Sequence, residues 1–300
     1  MSFKNDPSLL SRRQRSTHIA AAVFLMPALL ILIVFVLYPI INSFQLSLYS
    51  WSGISPNRTF IGLENWRELM SDTIFWRAFQ NNITLMILSL IFQVPFALML
   101  ATILDAAGKR FNVFKIVWFL PLLMSTVAVG FLFRFVLDAN FGLITFFSRL
   151  LGGGPIDLLG HPDRAPFAVI GVVAWRFIPF YMVLYLAGYS GLPEETYEAA
   201  IIDGASRSQY FWRVALPMLA PVIRSGAILS IVGSLAFFDL TFVMTGGGPN
   251  HASELMATHM YRSTFLTMRM SYGATIASAM FILITTIALI AIRILNWKEK

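Results

Sequence analysis

Apolar residues along this 300-residue chain gather into six blocks of about 20 residues, separated by shorter polar or mixed stretches. The blocks run approximately over Ile19–Ile41, Ile83–Leu104, Ile116–Val136, Phe167–Leu186, Leu219–Met244 and Tyr272–Leu295. A helix of about 20 residues crosses roughly 30 Å of hydrocarbon. In that solvent the backbone must satisfy its own hydrogen bonds, which favours helices. The pattern therefore predicts an all-α integral membrane fold with six transmembrane helices. The first block follows Arg12, Arg13 and Arg15, as the apolar core of a secretory signal would. Its apolar run exceeds the usual length of about 7–15 residues, and no small-residue cleavage site follows it. Tyr38-Pro39 then leads into an aromatic stretch ending at Tyr49 and Trp51, which suits an exit through the membrane–water interface. The block is read as an uncleaved span. Pro27, Pro39, Pro95, Pro121, Pro179 and Pro221 lie within or beside the blocks. Each removes a backbone donor and frees a carbonyl that needs another partner. Kinked helices around a pathway and simple tolerance of proline both fit.

Composition agrees with the blocks. The chain is 57% hydrophobic and 12% charged, against about 45–50% and about 25% in soluble domains. That leaves too little charge to cover a water-facing globule. The net charge of +7 sits mostly beside the blocks and gives no reason to expect a nucleic-acid partner; the implied surroundings are lipid. With the N terminus inside, segments 1–18, 105–115, 187–224 and 293–300 hold 13 Lys and Arg, including all five lysines. Stretches 42–82, 134–166 and 245–271, placed outside, hold eight. This bias predicts that both termini are cytoplasmic, with residues 1–18 a cytoplasmic segment and 19–300 the transmembrane domain. The absence of cysteine excludes disulfides, thiolate metal sites and cysteine nucleophiles. His18, His161, His251 and His259 show no i, i+4 pairing, so no zinc motif is expected.

The longest predicted cytoplasmic loop, within 189–217, carries the most specific pattern. Pro193 suits a first helical turn, and Glu194 and Glu195 complement the dipole there. Residues 194–202 then read as a short helix. Asp203-Gly204 breaks it, because Gly tolerates positive φ. Ser206 can cap a second helix carrying Tyr210, Phe211 and Trp212, until Leu216-Pro217 leads into the fifth span. Glu198, Ala199 and Ala200, then Gly204, then Leu216 and Pro217 stand at the spacing Glu-Ala-Ala, three residues, Gly, nine residues, Ile-x-Leu-Pro, with Val214 in place of Ile. This loop resembles the "EAA" signature of binding-protein-dependent ABC import permeases. The resemblance implies a type I ABC importer permease fold in a bacterial or archaeal cytoplasmic membrane. It implies that Glu198, Ala199, Ala200, Asp203, Gly204, Leu216 and Pro217 couple this chain to a cytoplasmic ATPase dimer.

That ATPase must be a separate chain. A phosphate-binding loop needs a Gly-rich run followed by Lys-Ser/Thr. Here Gly152-Gly153-Gly154 runs into Pro155, Gly246-Gly247-Gly248 into Pro249, and Gly108-Lys109 lacks an upstream Gly. The chain is thus expected to be a non-catalytic permease that binds no cofactor itself, with ATP and magnesium on the partner. Both Gly-Gly-Gly-Pro tracts read as turns on the outer side.

Other stretches resemble carbohydrate-type permeases of the maltose and glycerol-phosphate branch. These are Tyr38-Pro39 with Ser43-Phe44, Gly62-Leu63-Glu64-Asn65-Trp66, and Phe242 through Pro249. The resemblance implies a heterodimer with a second related permease and a solute-binding protein facing the Gly tracts and the loop 245–271. Positions matching the sugar site of the maltose type are Leu122, Val173, Arg176, Phe177, Phe180, Ser230, Gly233, Ser234 and Phe237, most with different residues here. A different solute, or a site shared with the partner, is implied.

Two charges inside the blocks are read separately. Arg176 and Asp239 are costly if lipid-facing, so each should face a cavity or a partner. Arg176 can bind a carboxylate, a phosphate or sugar hydroxyls, or pair with Asp239 to close an outer gate. Asn81, Asn82 and Gln93 are weaker path candidates, since membrane helices also use such residues to pack. The competing functions are an importer for a non-sugar solute, an ATP-independent carrier and a membrane enzyme. Gly-x-Ser-x-Gly, His-Glu-x-x-His and clustered carboxylates, which the enzyme would need, are absent.

Overall fold

The structure, a computed structural model, describes residues 21–108 and 112–296. Along these residues run α1 (Ala21–Leu46), a ribbon of β1 (Tyr49–Ser50) and β2 (Thr59–Phe60), α2 (Glu64–Ser71), α3 (Thr73–Ala107), α4 (Asn112–Leu123) and α5 (Thr126–Val136). There follow α6 (Leu143–Leu150), α7 (Ala165–Tyr189), α8 (Glu194–Ile202), α9 (Arg207–Tyr210), α10 (Leu216–Leu235), α11 (Asp239–Met244), α12 (Met256–Tyr261) and α13 (Met270–Asn296). The ribbon is antiparallel, with Tyr49 opposite Phe60. The expected segment 1–18 and residues 19–20 of the first block lie outside the described residues.

Among the described residues, five stretches are long and apolar enough to cross a bilayer: α1, α3, α7, the run Arg207–Met244 with its break at 236–238, and α13. A sixth span exists only if α4 and α5 are counted together, and these meet at 94°. The third block is therefore not the single straight helix that its hydropathy predicts. Ser125 leaves the helical region at φ −56°, ψ 135°, four residues after Pro121 has removed a donor from the last turn of α4. The fifth block also differs from expectation. The second helix of the loop is not a separate unit but continues into the span through a π turn, Phe211–Ala215.

An identical device interrupts α1, where a π turn covers Ile33–Leu37. These two π turns, unlike a third at Arg262–Leu266, each end two residues before a proline, Pro39 and Pro217. A proline ring collides with the carbonyl four residues back, here Phe35 or Arg213, at the centre of each wide turn. Opening the turn to i→i+5 relieves the collision without breaking the helix.

α3 is the spine of the molecule. Asp72 caps its start, with Oδ1 accepting from the amides of Ile74 at 2.8 Å and Phe75 at 3.1 Å. One buried cluster joins α3 to α5, α7 and α11 through Leu85, Val129, Val173 and Leu240. Another, near the end of α3, gathers Ala97, Ala101, Met182, Tyr185 and Leu219. Ala97 and Ala101, one turn apart, bring the α7 backbone close, as small residues do between membrane helices. A third, around the start of α3, holds Leu69, Phe75, Met256, Tyr272 and Ile276. In contrast, α1 is exposed through Tyr38 and touches the bundle near its end, where Phe44 meets Phe281 edge-on at 6.1 Å.

Candidate functional site

The positions carried over from sugar permeases converge on the bend between α4 and α5, the middle of α7, and the break between α10 and α11. Val173, Arg176, Ser230 and Ser234 are buried; Leu122, Phe177 and Phe237 are half-buried; Phe180, Gly233 and Asp239 are exposed. Phe177 and Phe237 meet edge to face at 6.0 Å, so these two rings tie α7 to the α10–α11 break.

Arg176 finds its partner in the backbone. Its Nη2 donates to the Met124 carbonyl at 2.9 Å, one of the acceptors released where α4 ends. Its Nη1 is buried without a partner. Among the described residues no ion pair within 4.0 Å joins it to Asp239, which is exposed. The gate pairing offered by the sequence is thus not formed in this state; the guanidinium instead braces the bend and keeps one donor unused.

Ser230 donates from Oγ to Gln93 Oε1 at 3.4 Å, and Gln93 Nε2 donates to Ser89 Oγ at 3.3 Å. This buried chain stitches α3 to α10, so Ser230 and Gln93 are occupied in packing. The adjacent asparagines act as a clamp. Asn81 Nδ2 donates to the carbonyls of Ala252 and Glu254, both at 2.8 Å. Asn82 Nδ2 donates to Ser234 O at 2.9 Å and Leu235 O at 3.2 Å, while its Oδ1 accepts from the Met256 amide at 2.9 Å. Together they fasten the loop after α11, and the broken end of α10, to the spine.

Beyond this clamp lies a polar cluster that sequence reasoning did not single out. Glu254 is fully buried, 2.8 Å from His251 Nδ1 and 3.4 Å from Arg262 Nη2. Arg262 Nη2 also donates to the Gly246 carbonyl at 2.6 Å. Next to it, Asp72 Oδ2 accepts from His259 Nε2 at 2.8 Å and from the Tyr272 hydroxyl at 2.5 Å. Burial pushes the Asp72 carboxyl up, but hydrogen bonds from Tyr272, His259 and the Phe75 amide together hold it below its ordinary value. Glu68 holds Arg269 through two bonds, which raises that guanidinium's affinity for its proton. These groups surround a cleft of about 640 Å³. The signal available in sequence was a lone Glu among His and Arg in a short loop. Among the described residues no group of three His, Asp or Glu is arranged to hold a metal ion.

At the opposite end of α3 hangs the loop with the Glu-Ala-Ala pattern. α8 has no buried residue; Glu198, Ala199, Asp203 and Gly204 are exposed and Ala200 is half-buried. Gly204 has φ +76°, and its amide and that of Ala205 donate to Ile201 and Ala200 carbonyls, each at 2.9 Å. This αL turn ends α8 as glycine permits. Ser206 and Gln209 then form a reciprocal capping box. Tyr197 packs edge-on against Tyr210 at 4.9 Å, fixing α8 against α9. Leu216 and Pro217 start α10, in line with α9. The result is a stiff, exposed elbow joined directly to the fifth span. Ile201, Ile202 and Trp212 are uncovered on it.

A family model described as "Binding-protein-dependent transport system inner membrane component" matches residues 93–299. The probable ABC transporter permease protein YurN of Bacillus subtilis is 35% identical over 271 residues, covering 89% of this chain and 92% of its own. The multiple sugar-binding transport system permease protein MsmF of Streptococcus mutans is 30% identical over 272 residues, covering 90% and 93%. Among solved structures, a bacterial alginate ABC transporter in complex with alginate pentasaccharide-bound periplasmic protein has a chain that superposes with a TM-score of 0.79. That chain is 22% identical, with 96% of both chains covered.

Proposed function

Because this chain belongs to the binding-protein-dependent transport system inner membrane components, we propose that it lines half of an ATP-driven import path for a carbohydrate. It is a multi-pass ABC importer permease. The observation that carries the mechanism is the elbow of α8 and α9. A short helix with no buried residue, closed by the αL turn at Gly204 and joined there to α9, which runs on into a spanning helix, converts a push on its exposed face into movement of that span. Its fitting partner is a cytoplasmic ATPase, which supplies ATP and magnesium; Glu198, Ala199, Ala200, Asp203 and Gly204 form the contact, and Leu216 and Pro217 carry it into α10. On this reading α8 and both termini face the cytoplasm and the chain sits in the inner membrane, a reading supported by the distribution of lysine and arginine.

A second, related permease completes the path. The exposure of Phe180, Gly233 and Asp239 on a single chain supports a shared cavity. A solute-binding protein delivers the cargo at the end bearing the Glu254 and Asp72 clusters; the alginate transporter forms a complex with an alginate pentasaccharide-bound periplasmic protein. The sugar assignment rests on relatives such as the multiple sugar-binding permease and on the aromatic faces of Phe177, Phe180 and Phe237.

Gly204→Pro tests the coupling. Proline holds φ near about −65° and cannot take the positive φ of this turn. Vesicles containing the full transporter should hydrolyse ATP but lose sugar uptake with the variant. Uptake equal to that of the native protein would refute the coupling role. ATP-dependent uptake of amino acids or ions, with sugars excluded, would refute the cargo alone.

A further inference from the structure

We infer that α6 lies flat in the lipid headgroup boundary, held by its polar side to the protein and buried in lipid by its apolar side. At about 100° per residue, Leu143, Ile144, Phe146, Phe147 and Leu150 occupy one arc of roughly 160°. All five are exposed, as are Phe141 and Leu151 at its ends. A helix on a water-soluble surface turns its apolar arc inward; α6 does the reverse. Thr145, opposite the arc, is fully buried. Its Oγ1 bonds the Ala139 carbonyl at 3.1 Å and accepts from the Ile156 amide at 3.1 Å.

The first Gly-Gly-Gly-Pro tract fastens this polar side. Ser148 Oγ donates to the Gly154 carbonyl at 2.8 Å, and the Gly153 amide donates to Ser148 O at 2.8 Å. At the other end, Gly142 folds α6 tightly against the chain leaving α5. A Cβ there would stand 2.5 Å from the Asp138 carbonyl oxygen. Asp138 Oδ1 holds the same turn through the amides of Asn140 and Phe141. The helix is therefore rigidly presented with its apolar arc outward.

Lipid is the occupant because the arc continues the apolar exterior of the span it follows. Phe131, Leu132 and Phe135 of α5 are likewise exposed, and the short turn at 138–142 connects that helix to α6. Arg149 stands exposed on the flank of the arc, where an interfacial helix carries cations for lipid phosphates. Thr145 and Ser148 turn their hydroxyls away from the hydrocarbon. The helix would then fix the depth of the α5 end, and of the α4–α5 bend with it, relative to the bilayer.

The chain has no cysteine, so Phe147→Cys, Leu150→Cys and Arg149→Cys each carry a single nitroxide spin label without background. The labelled chain, assembled with its partner subunits in phospholipid vesicles, is exposed to oxygen, which concentrates in hydrocarbon, and to a neutral nickel chelate, which stays in water. Labels at 147 and 150 should collide with oxygen at least about twofold more than with the chelate, with the ratio near one at 149. Dominant collision with the chelate at 147 and 150 would overturn the proposal in favour of a water-facing helix. Shielding from both reagents would overturn it in favour of a protein cover. Leu143→Cys, on the same arc, repeats the measurement should either variant fail to assemble.

Discussion

Replacing Asn82 with leucine keeps most of the side-chain volume but removes one acceptor and two donors from a fully buried site. Three contacts vanish: Nδ2 to Ser234 O, Nδ2 to Leu235 O, and Oδ1 from the Met256 amide. The Ser234 carbonyl retains a long bond of 3.4 Å from the Phe237 amide. The Leu235 carbonyl and the Met256 amide are left facing a leucine. A buried polar group stripped of its partner costs about 1–3 kcal/mol, so two such groups set a loss of about 2–6 kcal/mol. A lower figure follows from membrane helices, where side-chain hydrogen bonds average about 0.6 kcal/mol each; three of them give about 2 kcal/mol. Both routes exceed about 1.5 kcal/mol, a large share of the margin on which a folded chain rests. The assay is reversible unfolding of the purified chain in mixed micelles, followed by circular dichroism. Asn82→Asp separates the two ends of the clamp. It keeps an acceptor for the Met256 amide but sets a carboxylate against two carbonyls, so it should lose at least as much stability as the leucine variant near neutral pH. A leucine variant within about 0.5 kcal/mol of the native chain would refute the reasoning. It would mean that the freed groups find other partners and that α10 is not held by this residue.

Two further outcomes follow from the same geometry. The Asp72 carboxyl lies below its ordinary value, so its contribution to stability is present above the unfolded value of about 3.9 and is lost as pH falls through the folded one. Thermal unfolding should then show this contribution unchanged between about pH 5 and 8, and Asp72→Asn should flatten the acid-side slope; an unchanged slope would refute the assignment. Arg176→Met removes the brace on the Met124 carbonyl, leaving that acceptor unpaired at a cost of about 1–3 kcal/mol. Sugar uptake should fall while insertion persists, and full uptake would show that the bend needs no brace.

What was legible in the sequence was what local chemistry encodes. α8 falls over Glu194–Ile202 because Pro193 and Gly204 mark its two ends, and Ser206 marks the start of α9. Hydropathy located the first, second, fourth, fifth and sixth blocks, although the helices outrun them. α3 begins at Thr73, ten residues before its apolar block, because Phe75 and Ala78 bury against α12 and α13. Hydropathy cannot register a helix that passes from lipid into a protein core. The α4–α5 bend was hidden for a related reason. Pro121 weakens the helix, but the acceptor freed at Met124 is satisfied by a residue 52 positions away. The clamp of Asn81 and Asn82 reaches across more than 150 positions, and an asparagine pair in sequence carries no sign of which backbone it will meet. Asp239 looked like a partner for Arg176 by charge alone; in the fold a carbonyl took its place.

The two ends of the spine are built with opposite stiffness. Around the start of α3, Asn81, Asn82, Asp72 and Glu254 bind α10, α12 and α13 through buried or half-buried polar contacts between distant segments. Such contacts carry directional preference and resist sliding. Around the end of α3, α8 is closed by the αL turn at Gly204 and packs through Tyr197 on Tyr210 of α9, and none of its residues is buried. A force applied at α8 therefore meets little local resistance and passes along the helical run Arg207–Met244 to the α10–α11 break. There Asn82 holds one side and the Phe177–Phe237 contact the other. The break yields because Ala236, Phe237 and Phe238 lie outside both helices. Under the proposed coupling, movement driven from the loop would reach the break beside Phe177 and Phe237, while the segments fastened by Asn81 and Asn82 keep their register on the spine.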